Sequence, residues 1–252
     1  MNKAITLLQT CFIFCMVGGL SGCGSTQSEN VKSKGISAQI TVTADSAGKV
    51  TVNTSLFVGS GLGATSLRLS AGDALKATAN GAMQVLTENT TLFGEVGYTT
   101  TFDHIDPGTV TVVSLERKDD TSCPNSRVQL PDAFTVTAPS QGQIFNRFDI
   151  MSVNWTPPVN IAGNMYVDFL TTCTSKQGGI VIRSNGFSRS DSGATTIPVV
   201  DLFPDLEFDT TKDCTSKMEI TRSVVGTLDP GYGEGGSIKG VQSRTVSLIL
   251  KP

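Results

Sequence analysis

The sequence predicts an all-β protein folded as two tandem β-sandwiches. Three observations point there. Apolar and polar residues alternate through one short segment after another, the pattern of half-buried strands, and no segment sustains a helical period. Turn signals such as Asp45-Ser46-Ala47-Gly48 and Asn80-Gly81 separate those segments at hairpin spacing. Charged residues make up only 16% of the chain, against 26 Gly and abundant Ser and Thr, a composition poor in helix formers.

Residues 1–22 stand outside this pattern. Lys3 is followed by an apolar run from Ala4 to Val17, broken by Thr6, Gln9 and Thr10, as in an export signal. An uncleaved membrane anchor would need about 20 apolar residues, and this run stops short at Gly18-Gly19. Residues 23–35 are polar, with Ser25, Thr26, Gln27, Ser28, Glu29 and Asn30 in succession, and suit a flexible tether.

The first block, residues 36–138, opens with alternation over residues 36–42 and 50–58, joined at the Asp45–Gly48 turn as a hairpin. Strands follow over residues 66–70, 73–78, 82–86, 98–102 and 109–115. Residues 128–137 close the block, with Pro131 confining their first part to an edge or a kink. The polar segment Ala138-Pro139-Ser140-Gln141-Gly142 marks the boundary. The second block, residues 139–252, carries strand patterns over 148–155, 165–172, 179–183, 195–199, 217–225 and 237–250.

Two stretches resemble known families. Leu20-Ser21-Gly22-Cys23 resembles the cleavage box of bacterial lipoprotein signal peptides (Leu, Ala/Ser, Gly/Ala, Cys) at all four positions. The resemblance implies cleavage before Cys23, a diacylglyceryl group on its sulfur, and acylation, typically with palmitate, of the new N-terminus. Two or three acyl chains make a stable anchor where one binds only reversibly. Gly24, where Asp would favour retention in the inner membrane, points to the outer membrane. Residues 151–158, Met-Ser-Val-Asn-Trp-Thr-Pro-Pro, resemble the early core strand of fibronectin type III modules, which implies an immunoglobulin-like sandwich for the second block. Met151, Val153 and Trp155 share one face there, and Trp155 is the only Trp. The chain from Cys23 onward is also similar to uncharacterised lipoproteins of Gram-negative bacteria, which lend it no function.

The cysteines suit an oxidising compartment. Cys11 and Cys15 leave with the leader and Cys23 is lipidated, so Cys123, Cys173 and Cys214 remain. Cys173 ends one strand pattern and Cys214 precedes another, and two strand ends meet easily. A Cys173–Cys214 bridge would close a loop of about forty residues, worth about 3–4 kcal/mol by loop entropy. Cys123 is then either a free thiol in a turn or the partner in some other pairing.

Little else in the chain suggests chemistry. His104, the only histidine, lies in the turn Phe102-Asp103-His104-Ile105-Asp106-Pro107-Gly108, without the second imidazole that metal hydrolases use. No Gly-x-Ser-x-Gly elbow accompanies it. Gly59-Ser60-Gly61-Leu62-Gly63 precedes a strand pattern rather than the helix a phosphate loop needs. Asp201, Asp205, Glu207, Asp209 and Asp213 could offer oxygens to Ca²⁺, but interleaved Leu202, Phe203, Leu206 and Phe208 suggest a loop packed on the core. One Trp and three Tyr give few platforms for sugars.

Without the leader, whose only charge is Lys3, the formal net charge moves from −3 to −4, which gives no footprint for nucleic acid. The expectation is a non-enzymatic, lipid-anchored cell-envelope protein that needs no cofactor or metal. It would sit on the membrane through its N-terminal lipid and bind an envelope or surface protein partner by an exposed sheet edge or an apolar loop such as Leu202-Phe203. The alternative is a lipoprotein that binds a glycan or Ca²⁺ through the acidic loop and the glycines of residues 231–236.

Overall fold

The structure, a computed structural model, describes residues 25–59, 63–91, 94–106, 108–159, 165–204 and 208–252. Strands and turns dominate, and the described residues contain no α-helix. In chain order the first half holds β1 (Thr26–Gln27), β2 (Ile36–Ala44), β3 (Val50–Val58), β4 (Thr65–Arg68) and β5 (Ala74–Ala79). It continues with β6 (Ala82–Val85), β7 (Thr87–Thr90), β8 (Val96–Phe102), β9 (Val110–Glu116) and β10 (Cys123–Gln129). The second half holds β11 (Thr135–Ala138), β12 (Ile144–Asn146), β13 (Ile150–Thr156) and β14 (Met165–Thr174). It ends with β15 (Ile180–Arg189), β16 (Ala194–Pro198), β17 (Cys214–Val225) and β18 (Gly236–Lys251).

Local chemistry sets the hairpins. In the β2–β3 turn, Asp45 Oδ1 accepts from the N–H groups of Ala47 and Lys49 at 2.8 and 3.0 Å. Between β5 and β6, Asn80 and Gly81 take φ values of +50° and +75°, the pair of positive angles that a two-residue hairpin turn requires.

One long sheet forms the back of the molecule, in the order β1-β4-β3-β2-β18-β17-β14-β15, with β8 added at β3. Two smaller sheets face it. The four-stranded sheet β10-β9-β5-β6 covers the first half and the three-stranded sheet β11-β13-β16 covers the second. Each sandwich encloses its own core. Ile40, Val52, Leu56, Leu67, Leu75, Val113 and Leu115 belong to the first. Met151, Val153, Trp155, Phe169, Met218 and Leu248 belong to the second.

β18 joins the two. Its first part runs parallel to β2, with Ile238 opposite Ile40, and its residues 239–250 run antiparallel to β17. Side chains on its inward face change in step. Ile238 lies in the first core and Val246, Leu248 and Leu250 in the second. Between them, beyond Gly240, the inward positions are polar: Gln242 and Arg244 on β18, and Arg222 on β17 opposite Gln242.

The chain crosses from one core to the other over this polar waist. Leu130 closes the first core and Phe134 opens the second. The crossing backbone is held by side chains from the sheet. Gln242 donates to the Pro131 carbonyl at 3.1 Å, Arg222 to that of Asp132 at 2.9 Å, and Arg244 to that of Phe134 at 2.8 Å. Both guanidiniums lie over the Phe134 ring, 4.9 and 5.1 Å from its centroid. Arg222 also pairs with the buried Asp191 at 2.7 Å, and Trp155 Nε1 donates to the same carboxylate at 2.7 Å.

Three elements differ from the sequence reading. Residues 128–137 are not one strand: β10 stops at Gln129, Pro131 breaks the ladder, and β11 belongs to the second sandwich. The crossing thus precedes the polar Ala138–Gly142 segment. Cys123 opens β10 rather than lying in a turn. Residues 26–35, expected to be a loose tether, are docked. β1 pairs with β4, and Ser28 and Ser33 are buried. The reason is a buried ion pair that composition does not reveal. Arg117 Nε meets Asp73 Oδ2 at 2.7 Å while its Nη2 donates to the carbonyls of Ser28 and Val31 at 2.7 and 2.9 Å. Ser28 Oγ donates to Asp73 Oδ2 at 2.6 Å, and Ser33 is held by Asp120 and the Thr121 carbonyl, each at 2.6 Å.

Candidate functional site

The hairpin of β14 and β15 ends the long sheet opposite β1. Alternation assigns its faces. Met165, Val167, Phe169 and Cys173 point into the second core, so Tyr166, Asp168 and Leu170 point outward. On β15 the register places Ile182 beside Thr172 and Ile180 beside Thr174, on the same outer face. These apolar side chains are open to solvent: Ile180 is 74% exposed, Ile182 61%, Leu170 47% and Tyr166 43%. Among the described residues β15 pairs only with β14, so alternate backbone N–H and C=O groups along its far side have no ladder partner.

At Gly186 the missing side chain leaves room for those of its neighbours on β14. A Cβ there would lie 2.8 Å from Asp168 Oδ1 and closer still to the Tyr166 hydroxyl, so those two side chains lean across β15 toward its free edge. Beside them Asp168 faces Glu219 across β14 and β17. Burial lifts the Asp168 carboxyl above the usual carboxylate range, and the Glu219 charge adds to the lift. Glu219 Oε1 accepts from Ser243 Oγ at 2.6 Å. A depression of about 310 Å³ lies over this pair, rimmed by Leu170, Ser184 and Lys217. The result is an acidic spot four residues along β15 from an apolar one, both beside a strand edge that has no ladder partner among the described residues.

The disulfide partners expected from the sequence meet. Cys173 and Cys214 are bonded, with Cα atoms 4.5 Å apart and both side chains buried. They stand one step beyond the Thr172–Thr215 pair of the β14–β17 ladder, so the bridge staples two neighbouring strands at the end of their register. Cys123 is a free thiol, buried against Gly231. Burial, with the Asp229 carboxylate next in effect, pushes it up to about 11. Cys23 lies outside the described residues.

The remaining candidates are dispersed. His104 sits on the surface beside Asp106, 3.3 Å away. In the acidic loop, Asp201 and Asp213 are exposed, while Asp205 and Glu207 lie outside the described residues. Asp209 is engaged by Thr211, whose hydroxyl and N–H hold its carboxyl below the usual range. No group of three His, Cys, Asp or Glu among the described residues is placed to hold a metal ion. The Gly59–Gly63 loop is described only at its two ends. Leu202 and Phe203 do not form the exposed patch anticipated for them. Both are buried, and Phe203 stacks on Phe208 at 5.3 Å with Arg147 over both rings.

What sequence reasoning missed is the Tyr166–Asp168–Gly186–Glu219 group, which only the register brings together. The local sequence gives no signal of it, because Arg183, Asn185 and Gly186 break the alternation before the group is reached. No family model matches the chain, and no curated protein sequence matches it. Among solved structures, that of the chicken CNTN1 FN1–FN3 domains is similar over 85% of this chain and 66% of that one, at 12% identity and a TM-score of 0.25. This chain thus spans just under two thirds of that structure's length, and a likeness at this score carries no argument about function.

Proposed function

We propose that this chain is a non-enzymatic, lipid-anchored module of the cell envelope, probing no substrate but binding another protein through the β15 edge. In this reading Cys23 carries the anchor, the outer membrane holds it, and the two cores are immunoglobulin-like sandwiches fused through one sheet. The observation behind the binding role is the composition of that edge. A ten-residue strand that, among the described residues, pairs only with β14 carries Ile180 and Ile182 at one end and has Asp168 leaning over Gly186 toward the other.

An extended partner segment added to β15 would satisfy the free backbone groups. Its outward side chains would then lie beside Ile182 and, four residues away, Gly186. The chemistry that fits is an apolar residue at the first position and a Lys or Arg at the second, reaching the Asp168 carboxylate that leans over Gly186. Placing a photo-crosslinker at Ile182 in cells tests this, with Asn53 on the same sheet face as the control. One adduct of defined mass at Ile182, absent at Asn53 and lost in Asp168→Lys, is expected. Equal adducts at both positions, or none at Ile182, would overturn the reading.

A further inference from the structure

We infer that residues 26–35 are a rigid stub that seats the first core directly against a phospholipid surface and turns the β15 edge away from it. The inference rests on the lipid-anchor reading of Cys23 and adds to it a distance and an orientation. A free tether over residues 23–35 could stretch to roughly 45 Å at about 3.5 Å per residue. Docking removes most of that reach. Thr26 is already in the sheet against Leu67, and Arg117 clamps the carbonyls of Ser28 and Val31. Only the three peptide steps from Cys23 to Thr26 remain, about 11 Å fully extended.

The stub also sets direction. β1 and β15 stand at opposite ends of the sheet order, seven neighbour steps apart, or roughly 34 Å at about 4.8 Å per step. The Thr26 edge is therefore held at the lipid while the β15 edge faces away from it. Charge does not produce this seating. Lys32 and Lys34 are exposed on the stub, but Glu29 is exposed beside them, and Asp120 lies 3.9 Å from Lys32. Seating is by tether length, so it persists on neutral lipid and at high salt.

The test uses the mature lipidated protein, its acyl chains verified by intact mass, in phosphatidylcholine vesicles containing a nitroxide-headgroup lipid. A fluorophore is attached through Lys32→Cys or through Ile180→Cys, with Cys123 buried and slow to label. Quenching at position 32 several-fold stronger than at 180 is expected. Inserting about twelve Gly and Ser residues between Gly24 and Ser25 leaves the stub docked but lengthens the reach, and should bring the two values together. Equal quenching at both positions in protein that carries its acyl chains would overturn the seating. A mass without acyl chains would overturn the anchor reading itself, and the seating with it.

Discussion

Arg222 and Asp191 form a buried pair whose remaining capacity is used on the chain around it. The guanidinium also donates to the carbonyls of Asp132 and Pro157, and Asp191 accepts from Trp155. Removing one partner leaves the other charge buried, so Arg222→Ala should cost about 3–5 kcal/mol in urea unfolding. The double replacement Arg222→Leu with Asp191→Leu should cost less, because it leaves no buried charge. Cys123 gives a pH signature. Its folded thiol titrates at about 11, above the usual thiol value, so the folded state holds its proton more tightly than the unfolded state. This contribution is complete below about pH 8.5 and is lost as pH rises toward 11. Titrating the native protein with a thiol reagent at pH 8 should label Cys123 at the rate of global unfolding, and a fast stoichiometric reaction would refute its burial.

At the scale of elements, alternation was enough to find most strands, because a half-buried strand writes its faces into the sequence. β2, β3 and the long β18 follow this rule, and Asn80-Gly81 placed the β5–β6 turn. The Cys173–Cys214 bridge was legible because both residues bound strand patterns. Elements held by polar contacts were not. The stub has no apolar period, and its contacts with Asp73, Arg117 and Asp120 span 45, 89 and 87 residues of sequence. β15 reads as a short strand because Arg183, Asn185 and Gly186 interrupt the pattern, although the ladder continues to Arg189. The β15 edge therefore depends on register, which no local window contains. The stub has a direct test. Arg117→Ala should release it, making trypsin cut after Lys32 and Lys34 at least tenfold faster than in the parent, and an unchanged rate would count against docking.

Across the whole molecule, two cores share a back sheet, with β18 contributing Ile238 to one and Leu248 to the other. The polar waist of Arg222, Gln242 and Arg244 separates the cores while fixing the chain that crosses between them. Such a joint carries mechanical continuity that a flexible linker lacks, and it holds the β15 edge at a set distance from the stub. Arg222, Gln242 and Arg244 take inward positions of β17 and β18 that alternation would give to apolar residues, and their purpose appears only once the crossing segment lies over them.

Trp155, the only Trp, reports on the second core, while Leu67 is fully buried in the first. The decisive measurement is denaturant unfolding of Leu67→Ala followed at once by Trp155 fluorescence and by far-ultraviolet circular dichroism. Leu67→Ala should cost about 2–5 kcal/mol. If the shared sheet couples the cores, both signals shift together to a lower midpoint in a single transition. A Trp155 midpoint that stays at the parent value, while circular dichroism splits into two steps, would show that the cores unfold independently and would contradict the shared-sheet coupling.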